Sequence, residues 1–156
     1  MTVRIENAYI FNTEKRRFEY GSLCVENGKI VEALSDPEAV IDAEGGYLLP
    51  GLIDVHTHGR CGIDIMDASA DKLTELSRHY AESGVTTVFP TIMTAPVEKL
   101  KNAIENIKKA TPVCDFAGIH VEGPYISKKK PGCHSIPDIR PLDIPEIFEL
   151  CEKILK

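Results

Sequence analysis

Two histidines one residue apart, His56 and His58, end an apolar run, and a glutamate, Glu122, ends another much later in the chain. Side chains two apart on a strand share a face, so both imidazoles point the same way. A pair of neutral imidazoles at that spacing can hold one divalent ion, and zinc or iron suits nitrogen ligands of this kind. Phe116 to Val121 reads as a buried strand, and Gly123-Pro124 stops it and turns the chain outward just after Glu122. A carboxylate at the carboxyl end of a buried parallel strand sits where α/β folds build their active sites. His56, His58 and Glu122 are therefore expected to ligate a common ion that acts as a Lewis acid and activates water.

Polar neighbours surround this set. His120 shares the face of Glu122 and either supports the ligands or packs in the core. Asp54 shares the parity of the histidines and is expected to orient a nearby polar group. Beyond Glu122, the loop Ser127-Lys128-Lys129-Lys130-Pro131-Gly132-Cys133-His134 is basic. Its lysines read as solvated, whereas Cys133 and His134 are expected to touch substrate, with a backbone N–H after Gly132 available to a hydroxyl or phosphate oxygen. Cys61 reads as a small residue in a tight loop, and Cys24, Cys114 and Cys151 as core.

The elements that position these residues change character along the chain. Residues 1–48 carry short strand signals, with a hairpin turn at Asn27-Gly28 and a further turn at Gly45-Gly46. They hold too few apolar residues for a large core of their own. From Leu48 the pattern alternates. An apolar run delivers the histidines, and a helix spans about 69–83 with Leu73, Leu76, Tyr80 and Ala81 on one stripe. A β-branched strand follows over 85–89 and is expected to end at Pro90. A second helix, about 95–110, takes Thr94 as its cap and buries Val97, Leu100, Ile104 and Ile107. The third strand covers about 114–121. A polar loop over 122–141 leads to a last helix from about Pro145, with Ile147, Leu150, Cys151 and Ile154 inward. The β-α-β-α-β-α order with helix-length crossovers implies parallel strands wound right-handed. Three such strands are too few to close a barrel, so the chain reads as the front of a larger one.

Composition narrows the function classes. The chain has 156 residues and a net charge of −6 without charge blocks, which argues against nucleic acid or an anionic membrane as partner. No apolar run approaches a membrane span, and the first residues do not begin a signal peptide. Five cysteines without a Cys-x-x-Cys pair read as reduced thiols in a cytoplasmic protein.

The segment Pro50-Gly51-Leu52-Ile53-Asp54-Val55-His56-Thr57-His58-Gly59 resembles the opening motif of the amidohydrolase superfamily, and Gly84-Val85-Thr86-Thr87 is similar to its second-strand motif. Within that superfamily, Gly118-Ile119-His120-Val121-Glu122-Gly123-Pro124, followed by Lys-Pro-Gly-Cys-His, resembles the N-acetylglucosamine-6-phosphate deacetylases. The resemblance implies an α/β fold: a partial TIM-type barrel of about three β/α units over 49–156, preceded by a small β-sandwich portion over 1–48. It implies a metal-dependent hydrolase releasing acetate from a sugar phosphate, with one or two divalent ions and a homodimer for the full-length family. Glu122 matches the family's metal-binding glutamate, His56 and His58 its histidine pair, and Cys133 and His134 the loop that meets the sugar. Two further metal histidines and the aspartate acid/base belong to later strands with no counterpart here. The chain alone is thus expected to be incomplete and inactive. The alternatives are another amidohydrolase acting on cyclic amides, or a truncated, non-catalytic metal-binding or assembly protein.

Overall fold

The computed structural model describes residues 1–155. It divides into two compact units, Met1–Pro50 and Gly51 onward.

In the first unit, β1 (Thr2–Asn12) pairs antiparallel with β2 (Arg17–Glu26), which pairs antiparallel with β3 (Lys29–Val31). The tight turn between the last two carries Asn27 and Gly28 at φ of 50° and 76°, the left-handed conformations these residues adopt most readily. Along β1 run two parallel partners, β4 (Ala39–Asp42) beside Val3–Glu6 and β5 (Tyr47–Leu48) beside Tyr9–Ile10. The turn expected at Gly45-Gly46 is closed by a Gly46 N–H to Ala43 carbonyl bond, and it lets the chain step from one stretch of β1 to the next. A bulge in β1 between Ile5 and Ala8 accompanies that step. Only Ala8 and Cys24 are fully buried hydrophobics in this unit, as the sparse apolar content implied. Tyr9, Phe18, Tyr20 and Tyr47 are exposed, with neighbouring ring centroids 4.8–5.5 Å apart.

The second unit is organised on one strand. Its elements are β6 (Leu52–Thr57), a small hairpin β7 (Gly59–Arg60) and β8 (Ile63–Asp64), α1 (Ala70–Ala81), β9 (Val85–Met93), α2 (Val97–Lys109), β10 (Asp115–Phe116), β11 (His120–Glu122), a 3-10 turn (Ile136–Asp138) and α3 (Ile144–Leu155). β6, β10 and β11 all run parallel to β9. Leu73, Leu76 and Tyr80 of α1 and Leu100, Ala103, Ile104 and Ile107 of α2 pack with Val88 and Ile92 of β9 to form the core. Both helices bury one stripe at the 3.6-residue period, and Ser69 caps α1 with its side chain.

Four expectations need correction. β9 does not stop at Pro90 but continues to Met93. Proline lacks an N–H, and on the β10/β11 side it falls between partners, since β10 pairs with Thr87 and Val88 and the β11 pairing starts opposite Thr91; on the other side it stands opposite Thr57 of β6, next to a register shift. The third strand is not continuous; it splits into β10 and β11 at Ala117–Ile119, where a Cβ on Gly118 would lie 3.1 Å from the Phe89 ring. Thr94 does not cap α2. Pro96 takes that position without a side-chain bond, and the Thr94 hydroxyl is used elsewhere. Finally, Cys151 is exposed, whereas Cys24 and Cys114 are buried as expected. α3 buries only Leu150, and Cys151 lines an open cavity of about 300 Å³ with Val121, Tyr125, Ile147 and Ile154.

Candidate metal centre

His56 stands in β6, His58 follows its last residue, and Glu122 is the last residue of β11. Both strands pair with β9, so its hydrogen bonds fix the distance between sequence-remote side chains. The His56 and His58 Nε2 atoms lie 3.1 Å apart. Glu122 Oε2 lies 3.4 Å from the first and 3.0 Å from the second. Among the described residues these form a group whose ligand atoms all fall within 4.8 Å of one another. A tetrahedral ion with bonds of about 2.0–2.1 Å has ligand atoms about 3.3–3.4 Å apart, close to the observed triangle. In the tautomers that leave both Nε2 atoms bare, three lone pairs converge, and a single hydrogen bridges two of these atoms at most. Glu122 Oε2 is buried and has no hydrogen-bond partner, an arrangement that costs free energy unless a cation meets it. The donor set, two imidazoles and a carboxylate, fits zinc or iron.

Other polar side chains surround this group. Asp54 Oδ1 accepts from the His56 backbone N–H at 3.1 Å, a local turn contact two residues on. The His120 ring lies 4.8 Å from that of His56, and its Nδ1 is 3.3 Å from Thr91 Oγ1. Thr91 is fully buried and also accepts from the Thr57 N–H. His120 thus packs against the His56 ring and is tied through Nδ1 to Thr91. His134 reaches the same cluster: its side chain is 6% exposed and its Nε2 is 3.4 Å from Glu122 Oε1. Its Nδ1 meets Thr94 Oγ1 at 2.8 Å. Cys133 remains exposed on the same loop. Burial by itself would raise the Glu122 carboxyl. The His134 contact and the neighbouring His56 and His58 outweigh it and hold the group below its usual range.

The loop carrying Cys133 and His134 is clamped at its far end. Arg140 Nε contacts both Glu146 oxygens at 3.1 Å, and its Nη1 donates to the Ala95 carbonyl. The Tyr125 hydroxyl donates to Glu146 at 2.9 Å. Thr91 and Thr94 were not visible as site residues in the sequence. Nothing local distinguishes a threonine that caps a helix from one that meets a histidine 40 residues away.

Residues 47–152 match the family model described as "Amidohydrolase family". The chain belongs to the amidohydrolase family. Among curated amidohydrolase relatives, it is 39% identical over 104 residues to an N-acetylglucosamine-6-phosphate deacetylase of Vibrio furnissii, covering 64% of this chain and 26% of that protein. It is 32% identical over 142 residues to an N-acetylgalactosamine-6-phosphate deacetylase of Escherichia coli O157:H7, covering 88% of this chain and 38% of the relative. The crystal structure of N-acetylglucosamine-6-phosphate deacetylase from Pasteurella multocida superposes with a TM-score of 0.87 at 30% identity, over 98% of this chain and 42% of that one. This amidohydrolase chain thus spans about a quarter to two fifths of the length of the relatives it matches. No helix among the described residues is long and apolar enough to cross a membrane.

Proposed function

We propose that the chain carries part of the site of a metal-dependent amide hydrolase that releases acetate from an N-acetylated hexosamine 6-phosphate. His56, His58 and Glu122 are its metal ligands in this reading, and the ion is zinc or iron. The observation that carries it is the convergence of two Nε2 atoms and an otherwise unpartnered Oε2 from β6 and β11. The relatives' names supply the substrate class. A glucosamine and a galactosamine derivative share the acetamido group and the 6-phosphate, so the common chemistry is the amide, with the epimer left to assay. In the same reading the parallel β/α units open a barrel over 49–156, and residues 1–48 contribute to a β-sandwich.

A divalent ion held here supplies Lewis acidity toward an amide carbonyl. The chain's own residues do the rest of what they can. The two imidazoles and Oε2 present lone pairs to one point. Asp54 fixes the backbone of His56, and in this reading the exposed Cys133 on the same loop as His134 is offered to the sugar. Asp54 takes the His56 N–H through Oδ1, and the cluster of ligand atoms among the described residues consists of His56, His58 and Glu122. A proton-transferring acid/base is therefore not supplied by the cluster, and the purified chain is expected to bind metal without appreciable turnover.

Calorimetric zinc titration tests the ligand set. The expected result is one ion per chain, with His58→Ala and Glu122→Gln each weakening binding by roughly a hundredfold or more. Unchanged zinc content in the His56→Ala, His58→Ala double variant would overturn it. Acetate release from both hexosamine phosphates by the zinc-supplied chain should stay at background. A normal turnover rate would show that a sufficient acid/base lies within these residues.

A further inference from the structure

The cluster contains a second layer whose geometry is more specific than packing requires. Glu122 divides its oxygens: Oε2 faces His56 and His58, while Oε1 faces His134 Nε2 at 3.4 Å. The other nitrogen of His134 is 2.8 Å from Thr94 Oγ1. His134 and Thr94 are both nearly buried, the first with a side chain 6% exposed and the second at 7%. A carboxylate only accepts, so the tautomer that makes this contact attractive is the one with hydrogen on Nε2. In the neutral ring Nδ1 is then an acceptor, and the Thr94 hydroxyl is its donor. Thr94 in turn is packed against Gly123, whose Cα leaves no room for a Cβ beside Oγ1. The chain Thr94–His134–Glu122 therefore runs from the exit of β9, through the loop, to the last residue of β11.

We propose that His134, oriented by Thr94, is a positioning residue that fixes the Glu122 carboxylate with Oε2 presented to the metal. This rests on the reading of His56, His58 and Glu122 as ligands, and it assigns to His134 a task apart from touching sugar. Without the His134 ring, Oε1 loses the side chain that faces it, and the carboxylate is free to rotate away or to bind through both oxygens. The Thr94 hydroxyl matters because, as donor to Nδ1, it holds the ring in place and accommodates hydrogen on Nε2.

Two measurements on the full chain test this. The first needs no metal: ¹⁵N imidazole NMR of the metal-free protein should show His134 protonated at Nε2 and bare at Nδ1, with Thr94→Val admitting the other tautomer. The second titrates Zn²⁺, then Co²⁺, into wild type, His134→Ala, His134→Gln and Thr94→Val. Loss of the imidazole should weaken Zn²⁺ binding by roughly 10–100-fold and change the Co²⁺ visible spectrum, since carboxylate coordination changes. His134→Gln, which offers an amide N–H, should recover part of the affinity, and Thr94→Val should lie between. Thermal melts without metal show whether each variant is folded; a purely structural role would lower the melt and leave the Co²⁺ spectrum of folded protein unchanged. Wild-type affinity and spectrum in His134→Ala, or an Nδ1–H tautomer in the wild type, would overturn the proposal. Failure of wild-type protein to bind either ion would instead overturn the ligand reading on which it stands.

Discussion

Gly123→Ala is the most revealing single change in the second unit. Gly123 has φ +84°, and an added Cβ would press on Thr94 Oγ1, with Thr94 Cβ at 3.3 Å and Cα at 3.6 Å just behind. The left-handed backbone alone costs an alanine about 1–2 kcal/mol. Forcing a methyl into a filled space adds about 1–3 kcal/mol. The expected loss is thus about 2–5 kcal/mol, a large share of the 5–15 kcal/mol typical of a domain. Gly132 provides the control, since it also has positive φ, +60°, but nothing within 4 Å of its would-be Cβ. Gly132→Ala should lose only the backbone part. Urea unfolding followed by far-ultraviolet circular dichroism reports on this unit, because all three helices belong to it. Adding Thr94→Ala removes the nearest atom, so the Gly123→Ala, Thr94→Ala pair should be less destabilised than the sum of its parts by about 1–2 kcal/mol. Equal losses at Gly123 and Gly132, or strict additivity in the pair, would refute the steric account.

Other outcomes follow from the same contacts. Zinc at a hundred times its dissociation constant should stabilise the chain by about 2.7 kcal/mol, reversibly by chelator, and the shift should vanish in His58→Ala. Ile104→Ala, at a fully buried position of α2, should cost about 2–5 kcal/mol in urea unfolding. Arg140, and after it Tyr125, more than offsets burial and holds the Glu146 carboxyl below its ordinary value. Its contribution is therefore present above the ordinary carboxylate range and lost as pH falls through the lowered value, and Glu146→Gln should flatten stability across that acid window. Burial, with Glu146 beside it, pushes the Tyr125 phenol up to about 12, so its contribution is complete below pH 10 and lost as pH approaches 12.

Much of this is legible in the sequence alone. The 3.6-residue stripes of α1 and α2 mark helices because each buries one face on β9, and Asn27-Gly28 marks a turn because its backbone angles suit those residues. His56, His58 and Glu122 stood out because strand ends impose direction on side chains. The misses share a different cause. The continuation of β9 through Pro90 depends on where β10 stops and β11 starts, a property of its partners. Thr94 fits a cap in sequence, and a histidine from a distant loop took its hydroxyl. Cys151 has helical parity with Leu150 and Ile154, yet burial is decided by what lies across from α3, and there an open cavity does. Local patterning specifies faces, and only tertiary contact specifies what meets them.

The way β6 and β11 share β9 as a common spine has a consequence for how the unit comes apart. An ion gripping His56 and Glu122 would close a loop of some 66 residues, much as a covalent staple does. On the chain-entropy estimate used for such staples, a closure of that span disfavours the unfolded ensemble by about 4 kcal/mol. The opening and closing strands would then be unable to drift apart independently, and the middle strand would be the last to lose its neighbours.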